Sequence, residues 1–140
     1  MATVEITTKI GCPLACTFCP QDALTKASNT KEKRNNSKMM TVEMFEHILN
    51  KLPSHVRIDF SGFSEPFANP NCGKLIKLAA DSPNPIAVYT TLQGVNSADV
   101  ELLKNLIISN RFEQFVIHLP DNHGNMLGFK LCSEYIYALK

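Results

Sequence analysis

Apolar positions fall into two rhythms along this chain. Thr3-Val4-Glu5-Ile6-Thr7 alternates polar and apolar residues and predicts a short strand. Val56-Arg57-Ile58-Asp59-Phe60 repeats the alternation, and Ile86 to Thr90 and Phe115-Val116-Ile117-His118 predict a third and a fourth strand. The helical rhythm runs between them. From Thr41 to Leu52 it puts Val42, Phe45, Ile48, Leu49 and Leu52 on one face, with Thr41 as N-cap, Glu43 in the electropositive first turn and Pro53 just past the end. A loop, Ser61 to Asn71, leads into a helical run near Gly73 to Ala80, which Pro83 and Pro85 close. Ser97 to Ile108, capped by Asn96 or Ser97, carries Val100, Leu103, Leu106 and Ile107 as its buried stripe. Ser133 caps a last helix begun by Glu134, Tyr135, Ile136 and Leu139.

Strands separated by helical patterns imply parallel pairing through right-handed crossovers. The expected fold class is therefore α/β, with about four βα units in a partial parallel barrel, too few to close an eight-stranded one. Half a barrel leaves a naked sheet edge, a liability for a free-standing domain. That edge and the short last helix predict either a truncated chain or a partner chain that covers the edge.

The 140 residues, 44% of them hydrophobic, suit one domain spanning 1–140. A net charge of +1 provides no global field to draw the chain to nucleic acid or acidic lipid, and no apolar run is long enough to span a membrane. Residues 25–38 carry Lys26, Lys31, Lys33, Arg34 and Lys38 among Asn, Ser and Thr. Without interleaved aromatics, they read as an exposed basic loop rather than a phosphate site. The N-terminus lacks the apolar stretch of a secretory signal, which predicts a cytoplasmic protein with reduced thiols.

Those thiols carry the candidate chemistry. The chain has five cysteines, an odd count that argues against a disulfide framework, and three of them fall in Gly11-Cys12-Pro13-Leu14-Ala15-Cys16-Thr17-Phe18-Cys19-Pro20. Directly after the first strand, this C-x3-C-x2-C loop lies at the C-terminal mouth of the sheet, where α/β active sites gather. Thiolates bind iron–sulfur clusters well, and three ligands on a four-iron cluster leave one metal open. Structural zinc is the alternative; it requires a fourth ligand, with Cys72, His118 and His123 available. Three cysteines packed as small hydrophobes fit poorly in a loop marked by Gly11, Pro13 and Pro20.

The segment resembles the radical SAM superfamily, whose signature is C-x3-C-x-Φ-C after the first strand, with Phe18 filling the aromatic position Φ. The resemblance extends from Thr3 to about Met126. It implies the N-terminal portion of a (βα)6 core in which Cys12, Cys16 and Cys19 hold a [4Fe–4S] cluster. The open iron would chelate S-adenosylmethionine, and the backbone at Phe18 would contact its adenine. Ser61-Gly62-Phe63-Ser64-Glu65-Pro66 resembles the family's Gly-Gly-Glu-Pro stretch, with Ser64 replacing the second glycine. By resemblance, Gly62 gives close backbone approach and Glu65 accepts from the methionyl ammonium. Thr91 would turn its hydroxyl to the ligand, and His118 and Asp121, at the fourth strand end, would serve the ribose or carboxylate. The implied reaction is one-electron cleavage of S-adenosylmethionine to a 5′-deoxyadenosyl radical that abstracts hydrogen from a substrate. It calls for an external electron donor, and a peptide is the candidate substrate. The rival expectation is a non-catalytic half-barrel module that binds a cluster or zinc and is completed by a partner chain.

His47 and His55 read as surface residues, Cys72 and Cys132 as packed thiols, and Met39, Met40 and Met44 as core filling.

Overall fold

A computed structural model describes residues 2–30 and 38–140. Four strands, β1 (Thr3–Ile6), β2 (Arg57–Phe60), β3 (Ile86–Thr90) and β4 (Gln114–Ile117), form one sheet in the order β1-β2-β3-β4, every neighbouring pair parallel. Among the described residues, five helices connect and follow them: α1 (Gln21–Thr30), α2 (Val42–Leu49), α3 (Cys72–Asp81), α4 (Ser97–Ile108) and α5 (Ser133–Ala138). A 3-10 turn, Pro66–Ala68, interrupts the loop after β2. The architecture is the expected partial βα barrel.

Register and the period-2 alternation together create two unlike faces. Ile6, Phe60, Val88 and Phe115 stand side by side across the four strands, with Val4, Ile58 and Ile86 in the next row. This apolar face packs beneath the helices, where Phe60, Leu75, Ile76, Ile86 and Val88 are fully buried. Burial of each such side chain contributes roughly 1.5–3 kcal/mol. The opposite face aligns Glu5 with Asp59, and Asp59 with Ala87 and Gln114 in turn. It is polar and forms the floor of a cavity.

Local chemistry fixes the helix starts. Thr41 takes an extended backbone and its hydroxyl accepts from the Met44 N–H at 3.2 Å, the expected N-cap of α2. Asn96, not Ser97, caps α4 in a reciprocal box: the Asp99 N–H donates to Asn96 Oδ1 at 3.0 Å and the Asn96 N–H to Asp99 Oδ2 at 3.3 Å. At α5 the capping position is Cys132, and the Ser133 hydroxyl donates to the Glu134 carboxylate instead.

Four sequence expectations need correction. Residues 25–30 are not loop: they belong to α1, while 31–37 of the predicted basic loop lie outside the described residues. The signal for α1 was weak because only Ala23, Leu24 and Ala27 are apolar along it, too few for a stripe. Ile107, placed in the α4 stripe, is half-exposed and lines a small cavity with Phe115 and Ile117 of β4, the last strand of the sheet. Met39 and Met44 are each 42% exposed, and of the three methionines Met40 is the one that packs against the core. The sheet has two outer strands, β1 and β4, rather than one naked edge; beyond β1, residues 38–40 run antiparallel to Thr8–Ile10.

Candidate functional site

The loop after β1 folds back over the C-terminal ends of the strands. Leu14, 3% exposed, anchors it, while Gly11 (φ +95°) and Ala15 (φ +46°) make the left-handed turns that bring the cysteines round. Cys12, Cys16 and Cys19 are free and half-buried, and all three line one cavity of about 450 Å³. The Cys19 N–H donates to the Cys16 carbonyl at 3.1 Å, and the Glu65 N–H donates to Cys12 Sγ at 3.4 Å. Burial, with the neighbouring Cys12 and Cys19, pushes the Cys16 thiol up. Among the described residues no three acid, histidine or cysteine side chains converge on one point as the ligands of a single ion do. Cys72 lies fully buried in the core, so burial removes it as the fourth ligand of a zinc site. The three thiols instead share the lining of one cavity, and a cube-shaped cluster takes its thiolates one to a corner.

The loop after β2 forms the facing wall. Gly62 adopts φ +89°, and a Cβ there would meet Thr7 Oγ1 at 2.1 Å, so its close approach is to β1's continuation. Ser64, buried, makes long hydrogen bonds from its hydroxyl to the Gly11 carbonyl at 3.5 Å and the Glu65 carbonyl at 3.4 Å. Glu65, 4% exposed, is held by four donors. Oε1 accepts from the Thr90 hydroxyl and from the Phe67 N–H at 3.2 Å; Oε2 accepts from the Thr91 N–H and hydroxyl, each at 2.7 Å. Burial pushes its carboxyl above the usual carboxylate range, and the Thr90, Thr91 and Phe67 donors pull the other way. The Thr91 hydroxyl, expected to face ligand, is therefore spent on Glu65, which ties the end of β3 to the loop that touches Cys12.

Phe18, 68% exposed, sits on the cavity rim, and His118, also exposed, lines it from the end of β4. Asp121 does not line the cavity. Its Oδ1 accepts from the His123 N–H at 2.8 Å and the Asn125 N–H at 3.2 Å, and its Oδ2 from Asn125 Nδ2 at 2.8 Å. These bonds hold its carboxyl below the usual range and fold the turn after β4.

Sequence reasoning missed the cavity floor. Glu5 accepts from the Ser61 hydroxyl at 2.8 Å, Asp59 takes both Arg57 Nε at 2.7 Å and Arg57 Nη2 at 2.9 Å, and Tyr89 donates to Gln114 at 2.6 Å. Glu5, Asp59, Ser61 and Tyr89 line the cavity, joined by Met126 from the segment after β4. The signal was present: these are the polar phase of the same alternation that predicted the strands. Gln21 was also missed; its Nε2 donates to the Phe63 carbonyl at 2.6 Å and docks α1 on the facing wall.

An open parallel sheet with a thiol-lined pocket at its strand ends defines the class: a βα half-barrel with a cofactor-type mouth. No protein-family model matches the chain. It is 34% identical over 67 residues to the probable dual-specificity RNA methyltransferase RlmN of Spiroplasma citri, a match covering 48% of this chain and 19% of that protein. The crystal structure of BtrN in complex with AdoMet and 2-DOIA shares the fold with TM-score 0.60 and 14% identity, covering 97% of this chain and 54% of that one. The chain is thus similar in sequence to part of the RlmN relative and in fold to BtrN. It spans about a fifth of the RlmN relative's length and about half of BtrN's.

Proposed function

We propose that this chain is the cluster- and cofactor-binding part of a radical SAM enzyme. The observation that carries the reading is the placement of three free thiols, in C-x3-C-x-Φ-C spacing, on one wall of a 450 Å³ cavity at the strand ends. Cys12, Cys16 and Cys19 would hold a [4Fe–4S] cluster, with S-adenosylmethionine in the same cavity. When bound, the two supply one-electron cleavage of the sulfonium to methionine and a 5′-deoxyadenosyl radical for hydrogen abstraction.

The chain's own residues bind, orient and shield. The Glu65 N–H donates to Cys12 Sγ, a contact that stabilises charge on that sulfur, and the Glu65 carboxylate fixes the loop through Thr90 and Thr91. The Gly62–Glu65 wall and the rim at Phe18 enclose the space opposite the thiols, with His118 offering imidazole nitrogens to a ribose or carboxylate. Every acceptor site on Glu65 is already occupied by a donor of this chain. Glu65 therefore acts as a brace in this reading. Asp121 shapes the turn after β4 instead of touching the ligand.

The reading includes a reducing compartment, an external electron donor, a peptide as candidate substrate, and a partner chain or further segment over the outer edge of β4. Half-exposed Ile107, which lines a small cavity with Phe115 and Ile117 of β4, supports the last of these. Among the described residues no helix is long and apolar enough to cross a membrane.

Anaerobic reconstitution tests the proposal. A brown chain with about four irons and four sulfides, which on reduction converts S-adenosylmethionine to 5′-deoxyadenosine and methionine, is expected. One zinc and no visible colour would overturn it in favour of a structural module. Cys16→Ala should lose the full cluster, while Cys72→Ala and Cys132→Ala should keep it.

A further inference from the structure

The segment after β4 contributes no thiol to the cavity, yet it is bonded to the cysteine loop along its length. Cys16 and Met126 face each other in an antiparallel bridge. The Thr17 N–H donates to the Asn125 carbonyl at 2.9 Å, the Thr17 hydroxyl to Asn125 Oδ1 at 2.9 Å, and the Gly128 N–H to the Leu14 carbonyl at 2.8 Å. The approach is so close that a Cβ on Gly128 would lie 1.9 Å from the Pro13 carbonyl oxygen. The strap is itself braced at both ends. Asp121 folds its start through Asn125, and Gln93 grips Lys130 twice, Nε2 donating to the Lys130 carbonyl at 2.9 Å and Oε1 accepting from the Lys130 N–H at 2.8 Å.

We propose that residues 121–130 are a clamp that sets the cysteine loop in its cluster-binding shape before any metal arrives. Asp121, Asn125, Gly128 and Gln93 are its positioning residues, and the proposal rests on the cluster reading above. Without the clamp, a loop carrying left-handed turns at Gly11 and Ala15 keeps, among the described residues, the Leu14 anchor, the Cys19–Cys16 bond and its contacts to the β2 loop. Ordering it on metal binding would then cost conformational entropy that the clamp removes in advance.

Native-state hydrogen exchange on the metal-free chain tests the clamp directly. The Thr17 and Gly128 amides should be protected, and Gly128→Ala should speed both by about tenfold or more. The Ile58 amide, bonded to the Pro85 carbonyl inside the sheet, should not change. After reconstitution, Gly128→Ala should retain about tenfold less iron against a chelator and show an altered electron paramagnetic resonance signal of the reduced cluster. Asp121→Asn, which keeps the Oδ1 acceptor, should lie between wild type and Asp121→Ala; Leu127→Ala, on the strap but pointing to solvent, should match wild type. Unprotected Thr17 and Gly128 amides in the wild-type chain overturn the proposal. So does a Gly128→Ala variant with faster exchange but undiminished iron retention and an unaltered signal. Protected amides in a wild-type chain that takes up no cluster leave the clamp standing and remove the cluster reading instead.

Discussion

Replacing Gly62 with alanine perturbs the cavity wall at one atom, and the structure sets the size of the effect. At φ +89° a side chain is strained, by about 1–2 kcal/mol for an L-residue in the left-handed region. The added Cβ would also lie 2.1 Å from Thr7 Oγ1, so Thr7, half-buried, must leave its rotamer. Overpacking of that kind costs about 1–3 kcal/mol. The sum is a loss of about 2–5 kcal/mol, read as a lower urea midpoint at unchanged slope. Thr7→Ala separates the two terms. With the hydroxyl gone, the nearest remaining atoms are the Thr7 Cβ at 3.4 Å and Cα at 3.7 Å, ordinary contacts. In that background Gly62→Ala should cost only the backbone strain, leaving a coupling of about 1–3 kcal/mol in the double-mutant cycle. Equal penalties in both backgrounds would refute the steric argument, and a total below about 0.5 kcal/mol would refute the strained backbone as well. Because the same loop brings the Glu65 N–H to Cys12 Sγ, the variant should also retain less iron after reconstitution.

Glu65→Gln keeps the shape but turns one acceptor oxygen into a donor. Either amide orientation sets an NH₂ against a backbone N–H, of Phe67 or of Thr91, and the expected loss is about 1–3 kcal/mol by urea denaturation; unchanged stability would contradict the four-donor arrangement. Arg111 donates to the carbonyls of Ala79, Ala80, Ser82 and Asn84 at 2.7–3.1 Å, closing the end of α3 where the chain enters β3. Arg111→Ala should lower stability by about 2–4 kcal/mol, and Arg111→Lys should recover only part of it, since an ammonium cannot reach all four carbonyls. The raised Cys16 thiol must lose its proton to bind metal, so protons compete with loading. Iron uptake on anaerobic reconstitution should rise steadily between about pH 6.5 and 8.5, and a flat profile would count against Cys16 as a ligand.

The strands, three of the main helices and the cysteine motif were legible because each is a local pattern. The period-2 alternation of Val56–Phe60 anticipated β2 to within a residue, and β3 and α4 began and ended where their patterns did. The cysteine spacing, its aromatic and its place after β1 carried the resemblance to the radical SAM superfamily before any contact was known. α1 escaped because its apolar residues are too sparse to mark a face, and its anchor is a polar contact from Gln21 to a carbonyl 42 positions away.

By itself, the sequence determined which residues repeat in phase with a strand or a helix and which thiols share a loop, because steric and hydrophobic periodicity act over a few residues. Only the tertiary structure decided how those pieces meet. Glu65 reaches Thr91 across 26 positions and is filled by donors rather than left open, while Thr17 meets Asn125 across 108. Asp121 is drawn into its own turn and away from the cavity. Such contacts are hydrogen bonds whose partners are chosen by the packing of the whole sheet, and no short window of sequence contains both ends.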